Sequence, residues 1–166
     1  MPHTTLAELL HDELCDLYDA EMQVAQSLPA LAQAVHTPVL RDAMREQVER
    51  TKTQIERLER VFDSMGHPVS GHRSHGMHGL LASCDRLLET SGSDAVRDAA
   101  IIAALQRVAH YAITAYGTAA AHAAMIGRAR VARLLGESLR EEKESDELLS
   151  RIAESDVNRL ALAAIF

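Results

Sequence analysis

Three carboxylates stand at positions where a helical bundle would use leucine. Counted in alternating steps of four and three, one stripe reads Leu10, Leu14, Leu17, Glu21, Val24, Leu28, Leu31, Val35. A second reads Leu135, Leu139, Glu142, Asp146, Leu149, Ala153. This spacing puts each stripe on one face of a helix. Both faces are apolar except near the middle, and a carboxylate removed from water needs a cation, a proton or strong donors. Inward carboxylates on separate helices are the chemistry of a carboxylate-bridged metal centre inside a four-helix bundle. Glu21, Glu142 and Asp146 are thus the candidate metal ligands, with iron or another divalent ion as the candidate metal.

Each candidate also has a plainer reading. Glu142 and Asp146, beside Glu141, Glu144 and Glu147, suit a solvated acidic stripe. Glu21 could pair with a buried arginine or with Tyr111, and Asp16 and Asp19 suit a surface on either side of Tyr18. His110 beside Tyr111 suits a core histidine. His67, His72, His75 and His78 fall within twelve residues, and the last three are spaced by three. Imidazoles at that spacing can chelate Zn, Ni or Cu, but the segment reads as a loop with no Cys or Asp joining it. Cys15 and Cys84 match no metal or redox spacing; core packing and a reducing cytoplasm are the simplest reading.

The elements that must hold these residues are well punctuated. Thr5 with Glu8 forms a capping box opening a first helix, roughly 5–36. Thr37-Pro38 opens a second, roughly 38–65, with Met44, Val48, Thr51, Ile55, Leu58 and Phe62 as its inward face. Gly66-His67-Pro68 ends it, and residues 66–76 read as a loop. A short helix is predicted over roughly 77–90, a break at Ser91-Gly92-Ser93-Asp94, then long helices over roughly 94–126 and 129–155 separated by Gly127. Helices of about thirty residues are about 45 Å long. Two short links and one long crossover give the ferritin-like layout, an all-α four-helix bundle with a short extra helix in the crossover. Asp16-Leu17-Tyr18-Asp19-Ala20 faintly echoes Ala109-His110-Tyr111-Ala112-Ile113, as two hairpins related by a pseudo-twofold axis would.

Composition bounds the function. With 166 residues, 47% hydrophobic but only 3% aromatic, the chain is read as one domain, 1–166, with a Leu, Ala, Val and Ile core. A net charge of −7, with Lys52 and Lys143 the only lysines, offers no basic stripe for nucleic acid. Met1-Pro2-His3-Thr4 runs straight into an amphipathic helix and does not read as a signal peptide. Ala99 to Ile126 is very apolar, but Gln106, Arg107, His110 and His122 interrupt it, which favours a buried helix over a membrane span. The apolar tail Leu160 to Phe166 should pack on something, and with the apolar surplus of the third long helix it predicts a homodimer.

Four segments in order resemble a known family. These are Asp12 to Glu21, Gln54 to Phe62, Val108 to Thr118, and Glu141-Glu142-Lys143 with Asp146. They are similar to the signatures of the YciE/YciF-like group of bacterial ferritin-like proteins, a domain family of unknown function, across nearly the whole chain. The resemblance implies a ferritin-like bundle, a homodimer, a link to stress response and, in typical members, a di-metal carboxylate site. It also implies glutamates where this chain has Ala109 and Ala112, a glutamate where it has Arg50, and often a histidine where it has Gln47.

Those departures erase the polar site on the second and third long helices. The expectation is therefore a stress-associated, non-enzymatic bacterial protein with a degenerate di-metal site and no cofactor. Arg50 is expected to replace the metal's charge by forking a carboxylate. One alternative is a metal-binding protein with ferroxidase-like or peroxide-consuming iron chemistry at Glu21, Glu142 and Asp146; another is a helical interaction module.

Overall fold

The computed structural model describes residues 4–89 and 92–163. Helix α1 (Leu6–Ala34) starts at the capping box read from the sequence: the Glu8 N–H donates to Thr5 Oγ1 and the Thr5 N–H to Glu8 Oε2. Pro38 sits in the first turn of α2 (Pro38–Met65), where a missing N–H costs nothing. The Thr37 side chain does not cap α2. Asp98, fully buried on a later helix, instead accepts from the backbone N–H groups of His36 and Thr37, at 3.2 and 2.7 Å. Gly66 ends α2 in the left-handed region, φ 74°, a conformation glycine adopts without strain.

The crossover carries α3 (His75–Leu88), which begins two residues before the predicted start, so His75 and His78 are helical and His67 and His72 lie in the loop. Then come α4 (Asp94–Met125) and α5 (Ala129–Ile152). A π-helical turn over Ala153–Val157 joins α5 to a short α6 (Asn158–Ala163). Among the described residues there is no strand, and no helix is long and apolar enough to cross a membrane. Part of the break expected at residues 91–94 lies outside the described residues, as do residues 164–166 of the tail.

Helix α1 packs on α2 and α4, and α5 packs on the same two, so α1 and α5 face each other diagonally. Helix α3 lies against α1 and α4. The core forms two apolar clusters. One holds Leu10, Leu14, Leu17, Leu58, Phe62, Tyr116 and Leu135. The other holds Val24, Leu28, Leu31, Met44, Leu105, Val108 and Leu149. Glu21 falls between Leu17 and Val24, Thr51 between Met44 and Leu58, and Glu142 between Leu135 and Leu149. The polar residues thus form a layer at the waist of the bundle.

The inward faces differ from the stripes read in the sequence. On α5 the buried residues are Val131, Leu134, Leu135, Ser138, Glu142, Leu149 and Ile152, while Leu139 and Asp146 lie at the edge. On α2, Gln54 and Arg57 are buried and Ile55 is only partly so. The tail residues Leu160 and Leu162 are 53% and 64% exposed.

Candidate functional site

Glu21 and Glu142 reach the waist from the two diagonal helices, and each is 4% exposed. Among the described residues no cation is within ion-pairing distance of either. Glu142 is held by amides: Gln47 Nε2 and Gln54 Nε2 donate to its Oε1 at 3.1 and 2.9 Å. Burial pushes its carboxyl up, against the pull of those two bonds and of Arg50. Glu21 has less. Its Oε1 is buried without a hydrogen-bond partner. Tyr116, fully buried, faces it closely enough to interact, but the hydroxyl makes no hydrogen bond of normal geometry. Burial, then the charge of Glu142, pushes Glu21 up to about 8. The same burial and the Glu21 charge hold the Tyr116 phenol well above its ordinary range. Thr51 Oγ1 and Gln54 Oε1 are also buried without partners.

The arginine that forks a carboxylate is Arg57, not Arg50. Arg57 Nη1 and Nη2 each donate to one Glu141 oxygen at 2.9 Å, and Nη1 also donates to Ser138 Oγ at 2.6 Å. Glu137 adds a looser contact to Nε at 3.5 Å. Paired parallel donors of this kind are among the stronger charge-assisted arrangements. Arg50 is displaced toward the rim, where Nη1 donates to the Glu141 carbonyl and to Ser145 Oγ, with Glu144 3.9 Å away. Gln47 and Gln54, one turn to either side of Arg50 on α2, are the residues that donate to Glu142.

Asp146, the third candidate, does not join the other two. It accepts from Gln106 Nε2 and pairs with His110 Nε2, both at 3.1 Å, against α4. Tyr111 does not pair with Glu21 either. It donates to Asp16 and shares a 2.9 Å hydrogen bond with Ser74 Oγ. The Ser74 N–H donates to Asp19 Oδ2 at 2.7 Å, so Asp16 and Asp19 tie the start of α3 to α1 rather than facing solvent. Of the loop histidines, His67 stacks on His11 with ring centres 4.4 Å apart, and His72 meets Asp12. Histidines 67, 72, 75 and 78 do not converge: among the described residues no three His, Cys, Asp or Glu are grouped to hold a metal.

The waist residues do not fit a di-metal carboxylate centre. Such a centre draws carboxylates or histidine from all four long helices. Here α2 offers Gln47, Thr51 and Gln54, and α4 offers Ala109 and Ala112. Glu21 and Glu142 are the buried carboxylates of this layer among the described residues, Glu142 has both amide donors on a single oxygen, and the neighbouring Glu141 is taken by Arg57. A cavity of about 60 Å³ lies beside them, walled by Leu17, Val24, Leu105, Ala109, Ala112 and Leu149, with Gln47, Arg50 and exposed Glu46 toward its mouth. The missing side chains at 109 and 112 border that space.

Sequence reasoning missed Gln54, Arg57, Ser138, Glu141 and Tyr116. A partial signal existed for two of them: Gln54, Arg57 and Val61 follow helical spacing along one stripe of α2. Residues 5–162 match the family described as a domain of unknown function, DUF892. The chain is 37% identical to Protein YciF of Escherichia coli (strain K12) over 158 residues, 95% of each chain. The crystal structure of the E. coli stress protein YciF superposes with a TM-score of 0.90 at 36% identity, covering 94% of this chain and 99% of that one. YcfI from Rhodopseudomonas palustris superposes at 0.86 with 35% identity, covering 89% and 94%. The protein is therefore a member of the DUF892 family, similar to YciF over nearly its whole length and with a ferritin-like bundle.

Proposed function

We propose that this chain is a non-enzymatic, stress-associated bundle whose metal centre has been replaced by a layer of its own polar side chains. In this reading a proton on Glu21, two glutamine amides on Glu142 and the Arg57–Glu141 fork do what cations do in a carboxylate-bridged centre. The observation that carries it is the pair of amide donors, Gln47 and Gln54, on one oxygen of Glu142. The protein then works through its surface, as a homodimer. Exposed apolar side chains at Leu160 and Leu162, on the short helix that packs against α4, support that assembly.

Two measurements test the reading. The protein is loaded anaerobically with ferrous iron, desalted and analysed for metal; far less than one equivalent per chain is expected, and two tightly held equivalents would overturn the metal-free reading. Light scattering at micromolar concentration should report a dimer, and a monomer would remove the assembly part.

A further inference from the structure

We infer that residues 67–72 form an acid-released strap: at neutral pH they cover the Cys15 thiol on α1, and protonation of the stacked His11–His67 pair makes them bow away and opens that thiol to solution. The inference is independent of the waist layer. Its first support is the geometry of a cover. The segment is held at both ends. At one, the His67 N–H donates to the Phe62 carbonyl at 3.1 Å as α2 ends. At the other, the Ser74 N–H donates to Asp19 Oδ2 at 2.7 Å. Between these points the chain lies directly on α1. A Cβ added at Gly71 would stand 3.4 Å from Asp19 Cβ and 3.5 Å from the Cys15 carbonyl oxygen and Tyr18 Cδ1. Ser70 Oγ rests 3.4 Å from Cys15 Sγ, and Cys15 is 6% exposed while residues 67–72 face solvent.

The second support is how a proton acts on the contacts in between. His67 stacks on His11 with ring centres 4.4 Å apart, the Phe62 ring meets His11 edge-on at 6.1 Å, and His11 Nδ1 is buried without a partner. A proton at that nitrogen would find no acceptor there. Burial first, then His67 and His72, hold His11 below its ordinary 6.5, against the pull of Asp12. Moving the strap returns water to the ring. The open form therefore takes the proton more readily, and the closed form loses ground as pH falls below 6.5. One contact opposes this. His72 Nε2 lies 3.1 Å from Asp12 Oδ1 and 3.2 Å from the Asp12 carbonyl, both acceptors, so it tightens when His72 is charged. Its side chains are 47% and 51% exposed, which makes it a weak opponent. The other charges at this end are engaged or in water. Glu8 accepts from Thr4 and Thr5, Glu59 from the Tyr18 hydroxyl, and His122 of α4 meets Glu13 at 2.8 Å; Arg60 and Asp63 of α2 are exposed.

The test uses the full-length protein and dithiodipyridine, a disulfide that reacts with thiols at neutral and at mildly acid pH. Modified Cys15 and Cys84 are measured separately by mass spectrometry of peptides. Cys84, 1% exposed in the other apolar cluster, is the internal reference, because general unfolding opens both thiols and the strap opens one. The ratio of Cys15 to Cys84 modification should rise by about threefold or more from about pH 7.5 to about pH 5, since the proton favours the form that binds it better. His11→Phe keeps the ring and removes its titration, so it should flatten the rise. His72→Asn removes the opposing bridge and should keep it. An equal ratio at the two pH values, or a rise that survives His11→Phe, overturns the inference. If His11→Phe does not fold, His67→Ala at the exposed side of the stack decides. It should give the high ratio already at neutral pH, and a ratio as low there as that of the unaltered protein overturns the inference.

Discussion

Two polar clusters on α1 lie little more than one helical turn apart and treat their carboxylates in opposite ways. Asp16 and Asp19 sit half-buried where the crossover meets α1, and each accepts two hydrogen bonds on Oδ2, Asp16 from the Ser74 and Tyr111 hydroxyls and Asp19 from the Ser74 N–H and Gln23. Glu21 lies deeper, between two apolar clusters, and one of its oxygens has none. Donors reach the first cluster, and there the cost falls on the neighbour: burial and Asp16 push the Tyr111 phenol up to about 12. In the second, donors are absent and the carboxylate itself moves. A carboxylate thus fastens a loop in one place and holds a proton in the other, and the burial and donors around it decide which.

The largest expected effect comes from removing donors at the waist. Arg57 is 9% exposed and forks Glu141, so Arg57→Ala leaves a carboxylate and Ser138 without their main partner. Urea denaturation should show a loss of about 3–5 kcal/mol, the usual cost of breaking one side of a buried pair. A loss below about 1 kcal/mol would place the fork among ordinary surface pairs. Replacing both partners, Arg57→Leu with Glu141→Leu, should cost much less than Arg57→Ala alone.

A pH titration sharpens the contrast next. Glu21 has an ordinary value of 4.5, which the unfolded chain keeps, and about 8 in the fold. Between these values the folded protein holds a proton that the unfolded chain has lost. The stabilisation is therefore complete below pH 4.5 and is lost as pH rises through about 8, at a slope of roughly 1.4 kcal/mol per pH unit. The upward shift of Glu142 acts in the same direction. Glu21→Gln, which mimics the protonated form, should flatten most of that slope and change stability by less than ~1 kcal/mol near pH 5.

The loop cluster gives the smaller effects. A Cβ at Gly76 would lie 2.7 Å from Tyr111 Cε2, and the ring is fixed by its bonds to Asp16 and Ser74. Gly76→Ala should cost about 1–3 kcal/mol and Tyr111→Phe about 1–2 kcal/mol, both read from thermal denaturation. Arg50→Ala, at the rim and partly exposed, should cost about 1 kcal/mol or less. The sequence alone assigned Arg50 the larger part.

That reassignment shows what local signals can and cannot carry. Helix limits were legible because their causes are local: Thr5 with Glu8, Thr37-Pro38, Gly66 and Gly127 each stop or start a helix by their own backbone chemistry. Glu21 and Glu142 were legible because a carboxylate in a row of leucines breaks a pattern. Asp146 was misplaced because Leu135, Glu142 and Leu149 fit two interleaved stripes. An apolar template prefers the one through Leu139, whereas the bundle uses the one through Ser138 and Ile152. Serine carries no hydrophobic signal, so that choice is invisible without the neighbouring helix. Arg57 and Glu141 look like surface charges until α2 and α5 are set side by side, because their pairing depends on the register of two helices more than eighty residues apart in sequence.

The central claim is that the waist closes itself with a proton on Glu21 and amide donors on Glu142. Carbon-detected NMR of protein labelled at the glutamate side-chain carboxyls, followed from pH 3 to 10 and assigned with Glu21→Gln, tests this most directly. The account predicts a Glu21 midpoint near 8, far from the ordinary 4.5, in metal-free protein. A Glu21 carboxyl that titrates at its ordinary value, or that is already ionised at pH 6, would contradict it.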